Sequence, residues 1–83
     1  MKFIVNEMVC DKENGNQMRP PIVCCTKLSA VEYVFYRIER CYMEKKGYRR
    51  EDQSIGRNEV CEDVVTFRYN GGYVEFQIHA LEM

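Results

Sequence analysis

The sequence predicts an α+β fold: a small antiparallel sheet, ββαββ or βαββ, with one amphipathic helix packed on one face. Three observations carry that expectation. An apolar stripe bounded by helix-stop signals runs through "AVEYVFYRIERCYMEKKG", residues 30–47. Two alternating runs flank "NGG" at 70–72, and a third alternating run opens the chain at 2–10.

In chain order, "KFIVNEMVC" sets Phe3, Val5 and Val9 against Ile4, Asn6, Met8 and Cys10, with Glu7 interrupting the first set. That alternation predicts a strand with a polar break. "DKENGNQMRPP" gathers turn residues around Asn14-Gly15 and ends at Pro20-Pro21, which predicts a loop over 11–21. "IVCCT" has β character, and prolines directly before it suit an edge strand, where a missing N–H is tolerated. Ser29 and Glu32 have the spacing of a capping box, and Leu28 and Tyr33 that of a hydrophobic staple. Lys45 and Lys46 meet the negative end of the helix dipole and Gly47 can stop the helix, so the expected span is 30–46.

At 100° per residue, Val31, Val34, Phe35, Ile38, Cys41 and Tyr42 share one side. Tyr33, Tyr36, Arg40 and Met43 fall opposite, flanked by Arg37 and Glu44. A helix back of this kind is unusual, because a solvated one is expected to carry Lys, Glu and Gln. After the helix, "YRREDQSIGRNE" is polar and predicts a connection of about ten residues. Val65, Phe67 and Tyr69, then Val74, Phe76, Ile78 and Ala80, predict a hairpin through Asn70-Gly71 or Gly71-Gly72 that brings Phe67 to Val74 or Phe76. Val60, Glu62 and Val64 have the other parity, which a bulge near Asp63-Val64 would reconcile. The second sheet face is then expected to be wet, showing Thr66, Arg68, Tyr73, Glu75, Gln77 and His79.

The 83 residues form one expected domain, with 46% apolar and 30% charged residues and a net charge of −1. Residues 1–50 hold ten Lys/Arg against six acids, and residues 51–83 two against seven, so one end is weakly basic and the other acidic. No stretch resembles a signal peptide or approaches the length of a membrane span. Five cysteines without a secretion signal suit reduced thiols, and the expected location is cytoplasmic.

Catalytic chemistry finds little footing. His79, the sole histidine, sits on the outward parity of a strand, and carboxylate pairs such as Glu51-Asp52 and Glu62-Asp63 are local. Cys10, Cys24, Cys25 and Cys61 lack the C-x₂₋₄-C spacing of a zinc knuckle, and Gly71-Gly72 leads into a strand, not a phosphate-holding helix. The expectation is a non-enzyme with no metal and no cofactor. Two binding readings stay open. Tyr33, Tyr36, Arg37, Arg40 and Met43 are the residue types enriched at protein interfaces. Lys45, Lys46, Arg49 and Arg50, with tyrosines among them, are candidate nucleic-acid contacts, although acids interleave and the pI is 5.8.

A single domain of this size, with one capped helix from Ser29 to Gly47, a hairpin through "RYNGGYVEF" and no catalytic set, resembles small phage-encoded proteins that bind and disable a host protein, such as anti-CRISPR and other anti-defence proteins. The resemblance rests on size and element order and transfers no individual residue. It implies a binding inhibitor that occludes a host protein, with a homodimeric nucleic-acid-binding module as the alternative and no membrane partner.

Overall fold

The structure is a computed structural model that describes residues 2–48, 52–58 and 62–81. Six strands, β1 (Lys2–Asp11), β2 (Gly15–Met18), β3 (Ile22–Cys24), β4 (Asp52–Asn58), β5 (Glu62–Tyr69) and β6 (Gly72–Leu81), form one antiparallel sheet. The helix enters between β3 and β4 as α1 (Lys27–Tyr36) and continues as a π-helix over Arg37–Lys45. The α+β class stands, with one helix on one sheet face. No helix among the described residues is long and apolar enough to cross a membrane.

The sheet order is β2-β1-β6-β5-β4, with β3 also paired to β1. Because β6 occupies one side of β1 along its whole length, β2 and β3 share the other side, at Met8–Asp11 and at Phe3–Val5 respectively. The prolines separate them, since neither Pro20 nor Pro21 can donate to a ladder. Arg19 makes the last bond before that gap, its N–H donating to the Glu7 carbonyl at 2.9 Å.

Two expected connections are strands instead. Within 11–21 the chain turns at Lys12–Asn14 and returns as β2, with Asp11 opposite Gly15. The Asp11 carboxylate accepts from the Glu13 N–H at 2.8 Å and the Asn14 N–H at 3.1 Å, and Gly15 takes a φ of 78°, so a side chain builds the turn. The polar run after the helix holds β4, which pairs with β5 from Asp52↔Arg68 to Asn58↔Glu62.

The final hairpin turns at Asn70-Gly71, with Tyr69 opposite Gly72, Phe67 opposite Val74, and Gly71 at a φ of 118°. The expected bulge near Asp63-Val64 is absent: β5 keeps one register against β6 from Asp63 to Tyr69, and Val64 simply faces away from the helix. The Val60 part of that expectation lies outside the described residues.

Parity decides the core. Val5 of β1, Val65, Phe67 and Tyr69 of β5, and Val74, Phe76 and Ile78 of β6 are buried under Ala30, Val34, Ile38 and Tyr42 of the helix. Gly72 sits where β1, β5 and β6 meet, opposite both Asp11 and Tyr69. A Cβ there would run into the backbone carbonyl of Cys10 and come within 3.0 Å of the Asp11 Cα. Only a backbone shift between β1 and β6 relieves that clash, so Gly72→Ala is expected to cost at least about 1–3 kcal/mol, the range for overpacking. A lowered urea midpoint checks it; an unchanged midpoint would mean that the two strands separate there freely.

A candidate protein-binding helix face and its buried support

The helix begins three residues before the expected start. Thr26, extended at φ −135°, is the N-cap, and its Oγ1 accepts from the Ser29 N–H at 3.1 Å. The Ser29–Glu32 capping box therefore does not form, and Leu28 is 68% exposed, not stapled to Tyr33. At the other end Gly47 takes a φ of 72° and the Tyr48 N–H donates to the Tyr42 carbonyl at 2.9 Å, which ends the helix as expected.

The buried helix residues 30, 34, 38 and 42 are spaced by four throughout. In an α-helix four residues overshoot one turn by about 40°, so such a stripe drifts off the sheet. The i→i+5 turns of the π segment are wider, and four residues there fall short of a full turn. The drift of the first half is returned in the second, which keeps Tyr42 over the sheet. The same spacing makes an outward stripe of Leu28, Glu32, Tyr36, Arg40 and Glu44, all exposed.

Of the five expected protein-binding residues, the structure leaves two exposed together. Tyr36 is 58% exposed, and Arg40 pairs with the equally exposed Glu44 at 3.2 Å, an i,i+4 contact of small energetic weight. Tyr33 and Met43 are half-buried against the core, which corrects their placement on the back of the helix. Desolvation pushes the Tyr33 hydroxyl pKa up, opposed by Arg37. Arg37 turns inward.

Its target is Glu7, the residue that interrupts the β1 alternation and is only 3% exposed on the helix side of the sheet. Arg37 Nε donates to Glu7 Oε1 at 3.0 Å and Nη2 to Oε2 at 2.9 Å, a bidentate charge-assisted pair. The Tyr42 hydroxyl donates to the same Oε2. Arg19 approaches from the rim at 3.7 Å, and the remaining Arg37 nitrogen, Nη1, donates to Cys41 Sγ at 2.9 Å. The hydrogen bonds to Glu7 raise the Arg37 pKa against the opposing desolvation. Burial first, and Glu7 second, push the Tyr42 hydroxyl well up. Sequence reading missed this cluster, although its signal was present: an acid within an apolar alternation must either be exposed by a register break or find a buried cation.

A second tyrosine group closes the helix exit. Tyr48 stacks on Tyr69 at 4.0 Å with the rings 6° from parallel, and the Tyr69 hydroxyl donates to Asp11 Oδ2 at 2.9 Å. The Asn14 N–H, the Tyr69 hydroxyl and the Glu13 N–H hold the Asp11 carboxyl below its ordinary value, while desolvation and then Asp11 raise Tyr69. Lys46 Nζ stands 5.5 Å from the Tyr42 ring centre and 5.9 Å from that of Tyr48. Of the expected nucleic-acid contacts, Lys46 is thus folded over rings, Lys45 is exposed, and Arg49 and Arg50 lie outside the described residues.

The raised tyrosines make an alkaline prediction. Tyr42 and Tyr69 have folded pKa values above the ordinary 10, so their contribution is fully present below pH 10 and is lost as pH rises through the folded values. Urea midpoints taken across that range should fall with pH, and less steeply for Tyr42→Phe. Equal slopes for variant and wild type would refute the assignment to Tyr42.

His79 is half-buried on the outer sheet face, 3.3 Å from Gln77 Oε1. Cys10, Cys24, Cys25 and Cys41 are free thiols, and among the described residues no three Cys, His, Asp or Glu side chains gather as a metal-ligand set. Cys61 lies outside the described residues. No protein-family model, curated protein or solved structure matches the chain, so the reading of this surface rests on its geometry.

Proposed function

We propose that the chain is a small non-enzymatic protein-binding module that acts in the cytoplasm and inhibits a host protein by covering its surface, in the manner of phage anti-defence proteins. The observation that supports this reading is the outward stripe centred on Tyr36 and Arg40. It presents an exposed aromatic beside an exposed guanidinium, two residue types that dominate interface hot spots. Beneath it, Arg37 and Tyr42 tie the same helix to Glu7, so the stripe is held in place before a partner arrives. Preorganisation of that kind lowers the ordering cost of association.

The nucleic-acid reading has less charge to draw on, because Arg40 is paired with Glu44 and Lys46 lies over tyrosine rings. The test is capture from nuclease-treated host lysate, comparing wild type with a Tyr36→Ala/Arg40→Ala variant of unchanged circular dichroism. Each hot-spot truncation costs about 2 kcal/mol or more, so affinity for the captured protein should fall at least about thirtyfold. Equal capture by both would remove the helix stripe as the site. Binding that collapses steeply with added salt would favour phosphate contacts instead.

A further inference from the structure

The helix covers one face of the sheet, and among the described residues no element covers the other. That second face carries few charges in its interior. Its central row is Asn6, Gln77 and Val64, aligned across β1, β6 and β5. One step along the strands stands Ile4 beside His79, and one step the other way Met8 beside Glu75. Glu75 is the one charged side chain among these seven. The apolar pairs extend to the sheet edge, where Val23, 54% exposed, lies opposite Ile4, and Met18, 66% exposed, lies opposite Met8.

This arrangement is complementary to itself. A two-fold axis lying across the strands along the central row, between two copies placed face to face, exchanges the two steps on either side. It sets Glu75 of each copy over His79 of the other, Ile4 over Met8, and Met18 over Val23. Isologous contacts of a symmetric dimer have this reciprocal form. Along β6 the polar groups are already aligned for it, since Gln77 Nε2 donates to Glu75 Oε2 at 3.3 Å and His79 Nε2 lies 3.3 Å from Gln77 Oε1.

The size also suffices. β1 and β6 have ten residues each, about 33 Å at the usual strand rise, and five strand positions span about 24 Å. With shorter edge strands the footprint is roughly 700 Å², close to the ~800 Å² per partner of a standard interface.

We infer that the open sheet face is a homodimer surface, on which a second copy packs about a two-fold axis along the Asn6–Gln77 row and pairs Glu75 of each copy with His79 of the other. The dimer leaves both helix stripes outward, so it stands independently of the function proposed above. Sedimentation equilibrium of the full chain, in reducing buffer over a micromolar concentration series, should give twice the 9.9 kDa chain mass. Glu75→Lys and Met8→Lys, both at partly exposed positions, should each weaken the dimer about tenfold or more while the far-ultraviolet spectrum stays unchanged. Glu75→Lys combined with His79→Glu should restore it, and Tyr36→Ala should leave the mass unaltered. A wild type that is monomeric throughout, or a dimer indifferent to both single substitutions, overturns the proposal. Failure of the charge swap to restore a dimer that both singles dissociate overturns the two-fold arrangement.

Discussion

Glu7→Ala is expected to destabilise the fold by about 3–5 kcal/mol, the cost of removing one partner from a buried ion pair. The substitution deletes the carboxylate that accepts from Arg37 Nε and Nη2 and from the Tyr42 hydroxyl, leaving a guanidinium and a phenol beneath the helix. A chain of 83 residues has roughly 4–12 kcal/mol to lose, at the usual stability per residue. The variant should therefore be partly unfolded or show a sharply reduced urea midpoint. Glu7→Met with Arg37→Met and Tyr42→Phe should recover most of the loss, because an apolar replacement of all three groups leaves no orphaned charge or hydroxyl. A cost below about 1 kcal/mol for Glu7→Ala would show that water reaches Arg37 and satisfies it.

Tyr42→Ala should be of similar size, about 3–5 kcal/mol, as for other buried aromatics. The ring is 2% exposed, meets Phe76 edge-on at 6.4 Å and lies 6.4 Å from Phe67, so truncation opens the core between helix and sheet. Tyr42→Phe separates the two roles of the residue. It keeps the packing and removes one donor to a carboxylate, an expected loss of about 1.5–3 kcal/mol. Chemical denaturation of both variants measures the division. Equal losses would place the whole effect in the hydroxyl, and a harmless Phe would place it in the ring.

What could be read from residue order divides along physical lines. The β5–β6 hairpin and the helix core were legible because both bury one face, and burial forces a period that survives in the sequence. β2 was not, since all four of its residues are exposed and an unburied strand has no period to display. β4, "DQSIGRN", carries a single large apolar residue, Ile55, and its sequence has the character of a polar connection. The cap was ambiguous because Thr26 and Ser29 both suit the role, and only the end of β3 at Cys24 decides between them. Tyr33 and Met43 pack against the core and Arg37 turns inward, off the outward side that a 100° step gives them. A fixed 100° step cannot anticipate the wider turns after Tyr36 that carry Met43, and the partner of Arg37 lies thirty residues away. Tyr36 and Arg40 are exposed, on the side that the 100° step gives them.

The pairing of β1 with β6 has a kinetic meaning. Its ten residue pairs join positions roughly sixty to eighty residues apart, and among the described residues no other strand pair is as long. During synthesis, at about 5–20 residues per second, β1 and the short strands on its far edge wait several seconds for the strand that completes them. Folding should accordingly be slow for so small a chain, in the millisecond-to-second range of topologies ruled by distant contacts. The vulnerable species is a nascent β1 whose unpaired side is open to other chains.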